Sequence, residues 1–347
     1  MVYDFHKILI IHPGGIGDLV ILTPALKILR ENFPQAKIDL FVPFSLSAGD
    51  IFQEDGLVNR IFKFSLKENN LFNKIRFIYK LRKEKYDLSI LPTDVDHLKG
   101  GVLSFLIGAK IRVGERKENK KGLFYTHTSF FDETKHLRET DISLLKTIGI
   151  KVNYPFPLPF LNFSQEEKFA SLFLTSNNLE NKILIGLHPS TINHQIFKRW
   201  PKENFIELGK KILYDFPEVF ILLFVDPNEK ELCSEMKSKL GNNTVIINNT
   251  SLKQVAALID KCKIFIASDC GLSHIAATTG TNLIAIFGPT NPQIEGPIGE
   301  KVHIIKEKCD FPYRRHHRDG NRQEPCKCLT KITPDRVFNK VKEILFK

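Results

Sequence analysis

No stretch of the 347 residues approaches the roughly 20 consecutive apolar residues that a helix needs to cross a bilayer. The N-terminal segment MVYDFHKILIIHPGG lacks a cationic leader, a long apolar core and a small-residue cleavage site, so no secretory signal is expected and a cytoplasmic location is. Cysteine is scarce at six residues. Cys233, Cys262 and Cys270 are scattered, which is no disulfide framework and fits a reducing compartment, where Asn-x-Ser/Thr matches such as Asn248 carry no meaning. A dinucleotide fingerprint fails twice: the glycine it needs at position 20 is Val20, and the second strand ends in Val42-Pro43-Phe44 rather than an acid. No G-x-x-x-x-G-K-[ST] run occurs, which removes the P-loop reading. Tryptophan occurs once, at Trp200, where it reads as a packing anchor.

What is present is ordinary for a soluble globular chain, with 42% hydrophobic and 26% charged residues, at a length that favours two domains. The formal charge of +11 favours an anionic partner: nucleic acid, an anionic lipid surface or a phosphorylated substrate. No recognised nucleic-acid module is visible, so nucleic acid is not expected.

Short apolar runs recur as KILIIH (7–12), AKIDLFV (36–42), NRIFKF (59–64) and YDLSILP (86–92), read as buried parallel strands. Helical spacing near 24–33, 70–84 and 98–107 lies between them. The second half repeats the logic with strands at 182–189, 219–225, 244–248, 263–268 and 282–289. In NYPFPLPFLNFS (153–164), prolines at alternate positions forbid a helix and mark the linker. The expected division is 1–155 and 156–330, with a final helix in 331–347, capped by Thr333-Pro334 and free to pack back on the first domain. Two such doubly wound sheets present the carboxyl ends of their strands to a cleft.

Four motifs carry candidate chemistry. Gly14, Gly15 and Gly17 follow the first strand and let the backbone turn tightly beside a ligand. Asp18 meets the next helix and is balanced between a helix cap and a catalytic carboxylate; Thr23-Pro24 offers a separate cap. In HPSTINHQIFKRWPKENF (188–205), Ser190, Thr191, Lys198 and Arg199 make a polyphosphate clamp or a solvated basic loop. In IASDCGLSHIAATTG (266–280), Asp269 and His274 flank a helix start whose small residues leave amides open to phosphate, the bland alternative being a cap and a first-turn histidine. Finally, Cys309, Cys326 and Cys328, with His316 and His317, have a spacing poor for zinc, so no metal is expected.

Taken in order, GGIGDLVILTPAL, HPSTINHQIFKRWPKENF, SDCGLSHIAATTGTNLIAIFGPTNP and the Cys-rich loop before ITPDRV resemble the lipopolysaccharide heptosyltransferases, family 9 of the glycosyltransferases. The resemblance implies an α/β protein of GT-B architecture, two Rossmann-like domains facing across a cleft: an N-terminal acceptor domain and a C-terminal nucleotide-sugar domain. It implies inverting transfer of heptose from ADP-heptose to the lipopolysaccharide inner core, at a 3-deoxy-octulosonic acid or a heptose. Asp18 matches the family's base, Lys198 its diphosphate ligand, Ser190 and Thr191 its hydroxyl pair, and Asp269, Gly271, Leu272, Ser273 and His274 its nucleotide-sugar segment. Glu229 lies near the ribose-holding acid, though Val225-Asp226 replaces the usual glycine pair there. No cofactor or metal is implied. Lys74, Arg76, Lys80, Arg82, Lys83, Lys85 and the run from Arg112 to Lys121 suit an acidic acceptor at the inner face of the cytoplasmic membrane, contacted peripherally by a monomer. The rivals are a transferase of the same fold with another donor or acceptor, and a nucleotide-sugar-binding protein without catalysis. Retention of Asp18, Lys198 and Asp269 together argues against the latter.

Overall fold

The computed structural model describes residues 3–43, 46–52, 55–92, 97–116, 122–191, 193–226, 229–311 and 324–346. Two compact units, Met1–Leu161 and Asn162–Lys347, divide the chain inside the proline-rich segment, a few residues beyond the expected 155/156 boundary.

The first unit runs β1 (Lys7–Ile11), α1 (Ile16–Asn32), β2 (Lys37–Val42), β3 (Arg60–Lys63), α2 (Leu71–Lys83), β4 (Leu88–Ile90), α3 (His97–Ile107), β5 (Ile111–Arg116), β6 (His127–Phe130) and α4 (Leu137–Lys146). Its strands are parallel in the order β3-β2-β1-β4-β5-β6. The apolar runs of β1 and β2 are buried because helices cover both faces of a parallel sheet. Strands β5 and β6 were invisible to that criterion: IRVGER and HTSF are polar, β5 is partly exposed and β6 forms the sheet edge.

The second unit runs α5 (Glu167–Ser176), β7 (Ile183–His188), α6 (Lys202–Asp215), β8 (Val219–Phe224), α7 (Lys230–Leu240), β9 (Thr244–Ile247), α8 (Leu252–Asp260), β10 (Ile264–Ser268), α9 (Gly271–Ala277), β11 (Asn282–Phe287), α10 (Pro292–Glu295), β12 (Val302–Lys306), α11 (Lys327–Thr330) and α12 (Pro334–Leu345). Its parallel sheet has the order β12-β11-β10-β7-β8-β9. Ile185, Ile221, Ile266 and Ile284 are fully buried, each side chain contributing about 1.5–3 kcal/mol.

Two expectations about helices are corrected. The first helix does not open at Thr23-Pro24; it opens at Ile16 with Gly15 as N-cap, and Pro24 lies inside it. Proline at 24 has no N–H for the carbonyl of Val20, four residues back. The Thr23 hydroxyl donates to that carbonyl instead, at 2.7 Å. The Thr-Pro pair is therefore an internal proline repaired by its neighbour. The C-terminal helix α12, capped by Thr333 as expected, belongs to the second unit: it packs on α6 and β11, and Val337, Phe338, Val341 and Ile344 enter that core.

Each sheet reverses its strand order once, between β1 and β4 and between β7 and β10. Ligands of open α/β sheets bind beyond the carboxyl ends of the strands at such points.

Candidate active site

In the first unit the loop after β1 lies at the reversal. The Asp18 carboxylate accepts the Gly15 backbone N–H at 2.9 Å, so Asp18 is the N3 partner of a helix cap. Asp18 is thus not the N-cap itself but the capping partner of Gly15 in the first turn of α1, and its carboxylate stays half-buried there. Gly14, Gly15 and Gly17 do not serve a left-handed turn, since none of them has a positive φ. Gly14 is needed for closeness: a Cβ there would sit 2.6 Å from Asp18 and from the ring of buried His12, whose Nδ1 accepts the Gly14 N–H at 3.1 Å. Gly17 lies in the first turn of α1.

In the second unit four strand ends converge. The Lys198 ammonium pairs with Asp269 at 3.0 Å, their side chains only 9% and 6% exposed. Asp269 leaves β10 and also accepts the Thr290 hydroxyl at 2.7 Å from beyond β11. Ser190, after β7, donates to Glu229, after β8, and Arg199 pairs with the same carboxylate at 2.8 Å. Arg199 also donates to the Thr191 carbonyl at 2.8 Å, closing the loop on itself. Glu229, the assignment without its glycine pair, therefore stands beside the hydroxyl pair. Below it, burial pushes the His188 imidazole down, and its Nδ1–H donates to the Phe224 carbonyl at 2.8 Å. Trp200 is fully buried, donating its indole N–H to Ile332 O at 2.9 Å, while its backbone N–H reaches Ser268 Oγ at 3.0 Å. That anchors the chain two residues after Lys198.

The helix α9 presents its start differently from the expected open amides. Ser273 donates its hydroxyl to Cys270 O at 2.7 Å, and the Leu272 and Ser273 amides point at the Cys270 sulfur. Burial pushes that thiol up to about 12. Gly271 opens the helix, and His274 is buried within it. Thr290 and Arg199 complete the network. Thr290, a neutral residue in a turn, was not singled out by the sequence; its one signal is its place just beyond a strand end. Among the described residues no carboxylate cluster shaped for magnesium gathers here.

The profile of "Glycosyltransferase family 9 (heptosyltransferase)" matches residues 74–322. Lipopolysaccharide heptosyltransferase 2 of Salmonella typhimurium is 27% identical, over 98% of both chains. Among solved structures, the Escherichia coli ADP-heptose lipopolysaccharide heptosyltransferase II superposes with a TM-score of 0.78, at 22% identity over 98% of both chains. A glycosyl transferase family 9 protein of Veillonella parvula gives 0.80 at 20% identity, over 100% of this chain and 99% of its own. With two doubly wound units in the GT-B manner and a match over most of its length, this chain belongs to glycosyltransferase family 9, the heptosyltransferases.

Proposed function

We propose that the chain transfers heptose from ADP-heptose to the inner core of lipopolysaccharide with inversion at the anomeric carbon. The observation that carries the reading is the buried Lys198–Asp269–Thr290 group at the reversal of the second sheet, a buried cation with one hydroxyl beside its carboxylate partner, at the point where ligands of open α/β sheets bind. The names of the relatives supply the sugar and the acceptor.

The acceptor hydroxyl oxygen attacks the anomeric carbon, its proton passes to the Asp18 carboxylate, and the bond to the ADP oxygen breaks with its electron pair leaving on the diphosphate. Lys198, with Ser190, Thr191 and Arg199 near it, stabilises that negative charge, and Asp269 fixes where the ammonium stands. Glu229 holds the ribose, and the segment from Gly271 to His274 lines the nucleotide sugar. Cation and hydroxyl donors together hold the diphosphate without magnesium. The protein acts as a monomer in the cytoplasm, in peripheral contact with the inner membrane face.

The test is to incubate the protein with ADP-heptose and a panel of truncated core acceptors and read the products by mass spectrometry. One heptose is gained on an acceptor ending in 3-deoxy-octulosonic acid or heptose. Transfer only from another nucleotide sugar favours the rival donor, and binding without transfer or hydrolysis favours the inactive protein. An arm with EDTA keeps its activity; loss that magnesium restores refutes the reading that the diphosphate is held without magnesium.

A further inference from the structure

Three cysteines that the proposed reaction does not use come together in the second unit. Cys309 follows β12, Cys326 caps α11, and Cys328 is the second residue of that helix. Their spacing in the sequence argued against a metal. The fold gathers them nevertheless: the three sulfur atoms lie within 4.8 Å of one another, with Cys309 and Cys326 at 3.4 Å. His316 and His317 lie outside the described residues.

The geometry suits a cation better than a disulfide. A tetrahedral ion with metal–sulfur bonds of about 2.3 Å needs sulfurs about 3.8 Å apart, so this cluster needs shifts of about 1 Å or less. A disulfide would use two of the three sulfurs and leave one thiol over, and none of the three is so bonded. Cysteine sulfur at this spacing selects soft divalent ions over magnesium or calcium.

The supports of the cluster are rigid. Cys328 and Leu329 are buried in the second core, and Leu329 lies so close to Gly288 that a Cβ there would be 2.7 Å from its Cγ. The Cys326 N–H donates to Phe197 O at 3.0 Å, and the Phe197 ring stacks on Phe311 with centroids 6.2 Å apart. Phe197 directly precedes Lys198, so whatever fixes the cysteines also fixes the chain that delivers that lysine.

We propose that Cys309, Cys326 and Cys328 bind one thiolate-seeking divalent transition ion, zinc in the first place, as a structural site that braces the segment entering Lys198. On binding, each thiol gives its proton to solvent and its sulfur lone pair to the ion, supplying three of four tetrahedral ligands.

The full-length protein, purified without chelator from zinc-supplemented cells, is assayed by elemental mass spectrometry, expecting about one equivalent of metal per chain. The same protein, stripped at low pH and titrated with cobalt chloride, develops a thiolate-to-cobalt charge-transfer band. Cys309→Ser combined with Cys328→Ser abolishes both signals and weakens ADP binding. Iron in place of zinc supports the site and identifies its ion. Wild-type protein without bound metal and without the cobalt band overturns the proposal whether or not the variant folds, and so does a folded variant that retains a full equivalent.

Discussion

Lys198 and Asp269 are hard to change one at a time. Removing one partner of a buried pair strands the other charge at a cost of about 3–5 kcal/mol, whereas replacing both is near neutral. Lys198→Ala is therefore expected to lose both stability and ADP affinity, while Lys198→Met with Asp269→Asn regains stability and still binds ADP poorly. Unchanged ADP affinity in the double variant, read by calorimetry, removes Lys198 from the clamp. Asp18 allows a cleaner separation, because asparagine can still accept the Gly15 N–H through its side-chain oxygen and keep the cap. Asp18→Asn is expected to lower turnover by about a hundredfold or more while donor binding survives. Near-normal turnover rejects the base assignment. At this scale the places of Asp18, Ser190 and Asp269 beside strand ends were legible, because charged and hydroxyl residues just after apolar runs stand out in the sequence, and the structure adds that Lys198 pairs with Asp269. Thr290 was not, since nothing local distinguishes a site threonine from a turn threonine.

Among the elements, the alternating strands and helices could be read from apolar runs wherever a strand is covered on both faces, as β1, β2, β7 and β10 are. The signal failed at β5, β6 and β12, which carry polar residues on half-exposed surfaces, although the edge strands β3 and β9 kept enough apolar residues to be read. It failed again at the start of α1, where Thr23-Pro24 has the composition of a cap and the location of a mid-helix proline. The repair at that proline has a measurable consequence. Besides donating to Val20 O, the buried Thr23 hydroxyl accepts the Phe160 N–H at 3.0 Å, so Thr23→Val leaves two polar groups without a partner. A loss of about 2–3 kcal/mol is expected in urea unfolding, mostly recovered by serine. A change below about 0.5 kcal/mol shows that water replaces the hydroxyl at no cost.

For the whole molecule, the net charge of +11 acquires a direction from α2. Leu71, Phe72, Ile75 and Tyr79 are 57–72% exposed on this helix, beside Lys74, Arg76, Lys80, Lys83 and Lys85, while Arg82 is tied to Leu106 O at 2.9 Å. Exposed apolar side chains among cations are what an interfacial helix presents to an anionic bilayer. Of the second basic run, Arg112 donates to Phe124 O at 2.5 Å, and residues 117–121 lie outside the described set. No helix among the described residues is long and apolar enough to cross a membrane. The proposed peripheral contact predicts sedimentation with anionic but not neutral vesicles, weakened by Leu71→Ser with Phe72→Ser; equal partition to both lipids defeats it.

The ammonium that greets the incoming diphosphate already has a resident counter-ion. On the proposed reading Asp269 and the departing ADP compete for one cation, so the carboxylate reclaims the lysine as product leaves. Turnover then need not wait on a tightly held spent nucleotide, and the vacated cradle carries no naked charge for stray phosphate to occupy.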